Sequence, residues 1–356
     1  MLGERIKLAR KMKGLSLRAL AEQAGVSAQA ISKYERALDV PGSAVLLRLA
    51  EALDVKVEFF FRRSALPSVT LPAYRKCAAL KAKQADGVLG QIQEWLERYL
   101  EAEQLLAEYE NVAPFDLPGG VVRTVTRLED AEAAAQSLRV AWNIGTAPIE
   151  SVVELLEDRG IRVGLVDGRA RFDACTLWAN DFIPVIAVRR DLPGDRQRFS
   201  LAHELAHLVL QTAPEVDAER AGHRFAGAFL VPACAARREL GERRHNLGTQ
   251  ELYLLKHKYG LSMQGWIVRA RDIGIISDAT ATALFRSFRQ KGWHRREPGE
   301  QLPLEVPQRM RRLVLRALAE DLISETRAAE LLGQPLTHII AHEAEQRADL
   351  RLALCC

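Results

Sequence analysis

Residues 196–210 read RQRFSLAHELAHLVL, and inside them His203, Glu204 and His207 form an H-E-x-x-H pattern. At about 3.6 residues per turn, side chains four apart leave one face of a helix, so His203 and His207 can grip a single ion. Glu204, one step past the first histidine, reaches the same side and is placed to take a proton from a water at that ion. This is the donor-and-base set of a zinc-dependent hydrolase, which makes Zn²⁺ the expected cofactor and Glu204 the expected catalytic base. Phe199, Leu201, Ala202, Leu205, Ala206, Leu208 and Val209 surround the three polar groups and predict a buried helix lining a pocket. A plain core helix is the competing reading. It would have to bury a carboxylate and two imidazoles with a partner for every polar atom, which is costly without a metal.

The rest of the chain bounds what this helix can belong to. With 356 residues, two or three domains are expected. The composition, 48% hydrophobic and 27% charged, is that of an ordinary folded protein with room for sizeable cores. No run of about 18 apolar residues predicts a membrane span, and the start, MLGERIKLARK, lacks the apolar centre of a secretion signal. The five cysteines (Cys77, Cys175, Cys234, Cys355 and Cys356) are scattered and form no C-x-x-C pair. They argue for a reducing, cytoplasmic setting without a disulfide framework. The net charge of +4 is uneven: residues 1–64 hold twelve Lys or Arg against seven Asp or Glu, a balance of +5, so the remainder sums to −1. A small basic module on a near-neutral body is expected to meet an anion, nucleic acid above all.

That module divides into short helical segments. Leu2 to Met12 carries apolar residues at helical spacing. Ser16 caps Leu17 to Ala24, Gly25-Val26 makes a tight turn, and Ser27 caps Ala28 to Glu35. Val45 to Leu53 and Val57 to Phe61 complete a compact core. Helix, short glycine turn, helix is the arrangement that sets a second helix into a DNA major groove. Residues 15–55, LSLRALAEQAGVSAQAISKYERALDVPGSAVLLRLAEALDV, resemble the lambda-repressor-like, or Xre, helix-turn-helix family. The resemblance implies a five-helix domain that binds a double-stranded DNA operator. It puts Ala21, Gly25, Val26, Ile31 and Leu49 at structural positions and Gln29, Ser32 and Lys33 on the outward face of the recognition helix. Gln29 is the candidate for a base edge, Lys33 for a base or a phosphate, and Arg18, on the preceding helix, for the backbone, with Ser27 at the start of the recognition helix. Where the family often carries glutamine at the first position of the preceding helix, this chain has Leu17.

Ser64 to Pro72 reads as a linker, and a long helix is expected over about 74–111. Val88, Ile92, Trp95, Tyr99, Ala102, Leu106 and Tyr109 form a seam spaced four and three along it. Such a seam serves a coiled coil in a homodimer, attractive because helix-turn-helix proteins read two half-sites. It serves equally well to pack the helix on the chain's own body. After a boundary near Asn111–Gly120 come helices at about 127–143 and 148–158 and strands at 161–166, 174–178 and 183–188.

Two histidines do not complete a catalytic zinc site, which takes three protein ligands and a water. The residues that follow offer Glu215, Asp217, Glu219 and His223. The segments LLEDRGIRV, DRQRFSLAHELAH and ERAGHRFAGAFLVP resemble the ImmA/IrrE metallopeptidase family. By that resemblance Glu219 is the third ligand. His223 stands where the family has asparagine, one helical turn on, as a neighbour of the ligands or a substitute for one. His245 and His223 are candidates to support an oxyanion.

Beyond Pro303, two short helices, Ser324 to Leu332 and Thr337 to Gln346, are joined by GQP and read as a packing hairpin or a second helix-turn-helix. His338 and His342 repeat the spacing of four, without the intervening glutamate, in a charged helix better read as solvated. The expected fold is mostly α with a small β-sheet. It comprises a five-helix DNA-binding head (1–64), a linker and connector helix (65–120), an α+β zincin-like domain (121–300) and a helical C-terminal region (301–356). Together the resemblances imply a DNA-binding transcriptional regulator carrying a zinc endopeptidase. Its expected substrate is a protein, typically a helix-turn-helix repressor cut in a stress response. The rival is a regulator or antitoxin-like protein whose zincin body senses or dimerises with little turnover.

Overall fold

In this computed structural model the described residues are 2–62, 66–70, 82–108, 115–168 and 172–337. The chain opens with four α-helices, α1 (Leu2–Met12), α2 (Leu17–Ala24), α3 (Ala28–Glu35) and α4 (Ser43–Leu53), and a 3-10 turn at Val57–Phe61. The serine caps form as their sequence demands: Ser16 Oγ accepts from the amide of Ala19, and Ser27 Oγ from that of Ala30. Gly25 ends α2 at φ 64°, a left-handed conformation that glycine adopts without a Cβ penalty. Ile6, Leu20, Ile31, Leu49, Leu53 and Phe60 fill the core of this head.

A two-residue strand β1 (Val69–Thr70) and the long helix α5 (Ala82–Leu105) follow. The apolar seam of α5 is spent inside the chain. Val88, Ile92 and Leu96 pack on the sheet beside Val166, Leu177 and Val185. Ala102 and Leu106 pack on Leu313, Val314 and Leu331 near the C-terminus. The Trp95 ring lies over Gly164, where a Cβ would come within 2.9 Å of it. Of the two uses expected of the seam, packing on the chain's own body is the one the described residues show; Tyr109 falls outside them. The head rests on the same helix, where buried Arg5 pairs with buried Glu97 and Lys11 reaches Asp86 at 3.0 Å.

The body runs β2 (Thr124–Val125), α6 (Asp130–Ala141), α7 (Val152–Asp158), β3 (Arg162–Val166), β4 (Ala174–Ala179), β5 (Ile183–Arg189), α8 (Gly194–Val209), β6 (Gln211–Thr212) and α9 (Ala218–Leu230). Helices α10 (Ala233–Leu240), α11 (Thr249–Tyr259), α12 (Met263–Asp272), α13 (Asp278–Gln290), α14 (Arg309–Ala319) and α15 (Glu325–Leu332) complete it. The main sheet has the order β1-β4-β5-β3, with β3 and β5 parallel and the other pairs antiparallel. Helix α8 lies against β4 and β5 on one face and α5 covers the other. The fold is thus mostly helical with small sheets, a helix-turn-helix domain followed by an α+β body.

Helix α14 escapes the sequence reading because Arg309, Arg311, Arg312 and Arg316 hide the apolar stripe of Met310, Leu313, Val314 and Ala317. At its start the buried carboxylate of Glu157 accepts from the amides of Gln308 and Arg309. Burial pushes that carboxyl up to about 7, against the pull of those amides and of Arg312 and Arg309. The second short helix expected at Thr337 to Gln346, with His338 and His342, lies outside the described residues from 338 onward. No described helix is long and apolar enough to cross a membrane.

Candidate metal centre

Helix α8 begins after Pro193 and carries the H-E-x-x-H pattern at its third and fourth turns. Its flanking leucines and alanines are fully buried, which fixes the helix between sheet and α9. His203 Nε2 and His207 Nε2 stand 3.1 Å apart. Helix α9 runs back across them and delivers Glu219 from its first turn, with one carboxylate oxygen 3.3 Å from His203 Nε2 and the other 3.9 Å from His207 Nε2. These three donor atoms lie within 4.8 Å of one another, and among the described residues no other His, Cys, Asp and Glu set gathers this closely. Two imidazole nitrogens and one carboxylate at these separations fit a single ion about 2.0–2.2 Å from each donor. The histidines are largely buried, whereas the Glu219 side chain is 57% exposed, so the centre opens to solvent on the α9 side.

The other acidic candidates have different duties. Asp217 is the N-cap of α9: its carboxylate accepts from the amides of Glu219 and Arg220, and so sets the helix start that aims Glu219 at the histidines. Glu215 is exposed and stands outside the cluster. His223 is exposed, stacks on the Phe199 ring at 5.8 Å, and has its ring centre 4.6 Å from that of His203. It flanks the cluster rather than joining it. His245 is also exposed, and its carbonyl meets Thr280.

Glu204 is 3% exposed. The hydroxyl of Thr176, on β4, lies 2.8 Å from Glu204 Oε2 and 3.0 Å from its carbonyl oxygen, so it donates towards that carboxylate and holds it in place. Sequence reading did not single out Thr176; only the packing of β4 on α8 brings the two together. Gly222, on α9, stands against the ring of His203. A Cβ there would stand 2.9 Å from His203 Cε1 and 3.0 Å from Nδ1, so only glycine leaves the ring its place. A glycine inside a helical pattern was the available signal.

On the head, Arg18, Gln29 and Lys33 are exposed and Ser32 is half-buried, all on the outer side of α2 and α3. Ser27 is exposed too, with its oxygen engaged as the cap of α3.

Two families match separate parts of the chain. Residues 6–60 match the family described as Helix-turn-helix. Residues 158–270, which hold β3 to α11, most of α12 and the whole metal cluster, match a peptidase family described as IrrE N-terminal-like domain. An uncharacterized HTH-type transcriptional regulator of Sinorhizobium medicae is 41% identical over 59 residues, 17% of this chain and 42% of its own. Another, of Rhizobium meliloti, matches to the same extent. A third, of Rickettsia prowazekii, is 40% identical over 60 residues, 17% of this chain and 46% of its own. The chain thus spans less than half the length of these relatives, and the shared part has the length of the head.

Proposed function

From a helix-turn-helix head joined to an IrrE N-terminal-like body, we propose a cytoplasmic DNA-binding regulator that is also a zinc-dependent endopeptidase. Its expected substrate is a protein of the helix-turn-helix repressor type, cut in response to stress. The observation that carries this reading is the cluster of His203, His207 and Glu219 beside a buried, hydrogen-bonded Glu204. In it His203 and His207 in their neutral form and ionised Glu219 hold Zn²⁺. The ion, when bound, supplies a Lewis acid that polarises the scissile carbonyl and acidifies water. Glu204 takes the proton of the attacking water on a carboxylate oxygen and passes it to the leaving amide nitrogen. Thr176 keeps that carboxylate turned towards the histidines, and His223 borders the opening through which substrate arrives.

In the head, Gln29 reads a base edge, Lys33 and Arg18 meet phosphate, and Ser27 and Ser32 border the same contact. Two half-sites call for a homodimer, and with the α5 seam internal, that dimer uses another surface.

The test is metal analysis by mass spectrometry, followed by Glu204→Gln against a candidate repressor. Zinc near one per chain is expected, with cleavage lost in the variant; cleavage that survives the substitution sinks the peptidase mechanism. A salt-dependent gel shift tests the head: Gln29→Ala with Lys33→Ala is expected to lose sequence preference and weaken binding. A second reading, a regulator or antitoxin-like protein with a sensing or dimerising zincin body, draws support from relatives named only as regulators. It predicts equal, negligible cleavage by the wild type and Glu204→Gln.

A further inference from the structure

The strand that carries Thr176 has one edge partly taken by the chain itself. Strand β1 pairs antiparallel with the end of β4, Val69 opposite Ala179 and Thr70 opposite Trp178. The amide of Asn180 donates to the carbonyl of Ser68 at 3.0 Å, which makes 68 and 180 a hydrogen-bonded position. The alternation of an antiparallel ladder then makes 70 and 178 the next such position. On the other side of β4 the amide of Arg189 donates to Asp173, so odd-numbered residues of the strand turn towards β5. Hence the backbone N–H and C=O of Ala174 and Thr176 point to the same edge that β1 occupies further along. Among the described residues β1 pairs only with Trp178 and Ala179 on that edge.

This edge runs beside the metal cluster, because Thr176 holds the carboxylate of Glu204 from β4, and an extended peptide paired to it would lie along that cluster. The occupant is firmly attached. Leu66 packs on the core of the head and Val69 on the α5–sheet cluster. Ser68 offers its amide to Asn180 Oδ1 at 3.2 Å, Thr70 donates its hydroxyl to Asp181 Oδ1 at 3.0 Å, and Gln93 donates to the Pro67 carbonyl at 3.4 Å. Asn180 and Asp181 both adopt left-handed φ values, 50° and 66°, and this turn presents their side chains to the clasp.

We propose that residues 66–70 are a built-in competitor for the peptide-binding edge of β4. A peptide extending past Thr176 towards Trp178 must displace β1, so access to the centre is coupled to the segment that ties the head to the sheet. An intramolecular strand competes at an effective concentration of the order of millimolar, which disfavours short or weakly held peptides. The regulatory consequence rests on the peptidase reading; the competition for the edge does not.

The test uses the purified full chain in chelator, so that no turnover is needed, and a fluorescein-labelled synthetic peptide of residues 62–70 as the probe. Thr70→Pro removes the amide facing Trp178, and Thr70→Ala removes only the Asp181 clasp. Expected peptide affinities rise in the order wild type, Thr70→Ala (about threefold), Thr70→Pro (about tenfold or more). In the same samples, hydrogen exchange at the Trp178 amide is expected to quicken about tenfold in Thr70→Pro and to slow again when the peptide is added. Should Thr70→Pro misfold, Ser68→Ala, which removes the hydroxyl 3.5 Å from Asn180 Oδ1, together with Thr70→Ala loosens the clasp without touching the backbone. Equal affinity in wild type and loosened variants, or Trp178 exchange indifferent to both substitution and peptide, overturns the proposal. Binding that behaves as expected while zinc-loaded protein cleaves nothing leaves the competition standing and removes the peptidase reading instead.

Discussion

Gly222→Ala is the smallest change that tests how the histidine pair is held. The added Cβ would stand 2.9 Å from His203 Cε1 and 3.0 Å from its Nδ1. Carbon contacts are comfortable near 3.5 Å, so about 0.6 Å must be found by moving the ring or by parting α8 from α9. The ring has little room. His223 lies 4.6 Å from it, centre to centre, and His207 Nε2 is 3.1 Å from its own Nε2. Metal–ligand distances tolerate about 0.2 Å. A ring displaced by twice that or more costs roughly 10- to 100-fold in metal affinity. Alanine meanwhile favours the helix by about 0.5–1 kcal/mol over glycine, which offsets part of the crowding in the metal-free protein. The expected result is therefore a split: metal-free thermal stability changes little, while zinc affinity, read by competition with a chromophoric chelator, falls at least tenfold. Unchanged zinc affinity together with higher metal-free stability would refute the reasoning, because α9 would then have absorbed the methyl group without touching the ligand.

Three further outcomes follow from the same geometry. Thr176→Val removes the hydroxyl on Glu204 at nearly constant volume; peptide cleavage is expected to drop about 10- to 100-fold with zinc affinity unchanged, and cleavage at wild-type rate would deny Thr176 its positioning role. Glu157, raised by burial from an ordinary 4.5 to about 7, binds its proton more tightly in the folded chain. Its contribution to stability is complete below about pH 4.5 and is lost as pH rises through about 7. Glu157→Gln keeps an acceptor for the Gln308 and Arg309 amides, so it is expected to be the more stable form at pH 8 by about 2–3 kcal/mol and to equal wild type near pH 4.5, as thermal melts across pH will report. Glu97→Ala leaves buried Arg5 without its carboxylate and should destabilise the chain by about 3–5 kcal/mol in denaturant titrations; a loss under 1 kcal/mol would mean that water reaches that pair.

What the sequence made legible was whatever is local. The spacing of His203 and His207, the serine caps at Ser16 and Ser27 and the turn at Gly25 each depend on a few consecutive residues, and each takes the expected form. The seam of α5 was legible as a stripe, from Val88 to Leu106, but not as an interface, because a period of three and four is the same whether a second chain or the chain's own sheet covers it. Thr176 was illegible for a related reason: nothing within β4 says that α8 crosses it at Glu204. Asp217 and Glu219 differ by two positions and share a chemistry. Only the helix start separates them, turning one into a cap and leaving the other to face the histidines. Strand β1 is two residues long and leaves no periodic signal at all.

The long helix α5 gives these separate readings a common frame. Glu97 holds the head through Arg5, and Tyr99, two residues on in the same turn, is fully buried. Trp95 keys it to the sheet at Gly164, and Arg98 and Glu101 reach the C-terminal pair of helices at the Leu331 carbonyl and at Arg327. A buried arginine–glutamate pair contributes little net stability compared with apolar packing, since desolvation offsets most of its attraction. It does punish every geometry in which the partners separate. The Arg5–Glu97 pair thus acts on orientation: it holds α1, and through it α3, in one register against the helix that supports the sheet. Segment 66–70 joins head and sheet on the same side, so pulling β1 from β4 draws on the chain leaving the head a few residues earlier. On the proposed reading, a peptide on the β4 edge and DNA on the head would draw on this same short stretch of backbone.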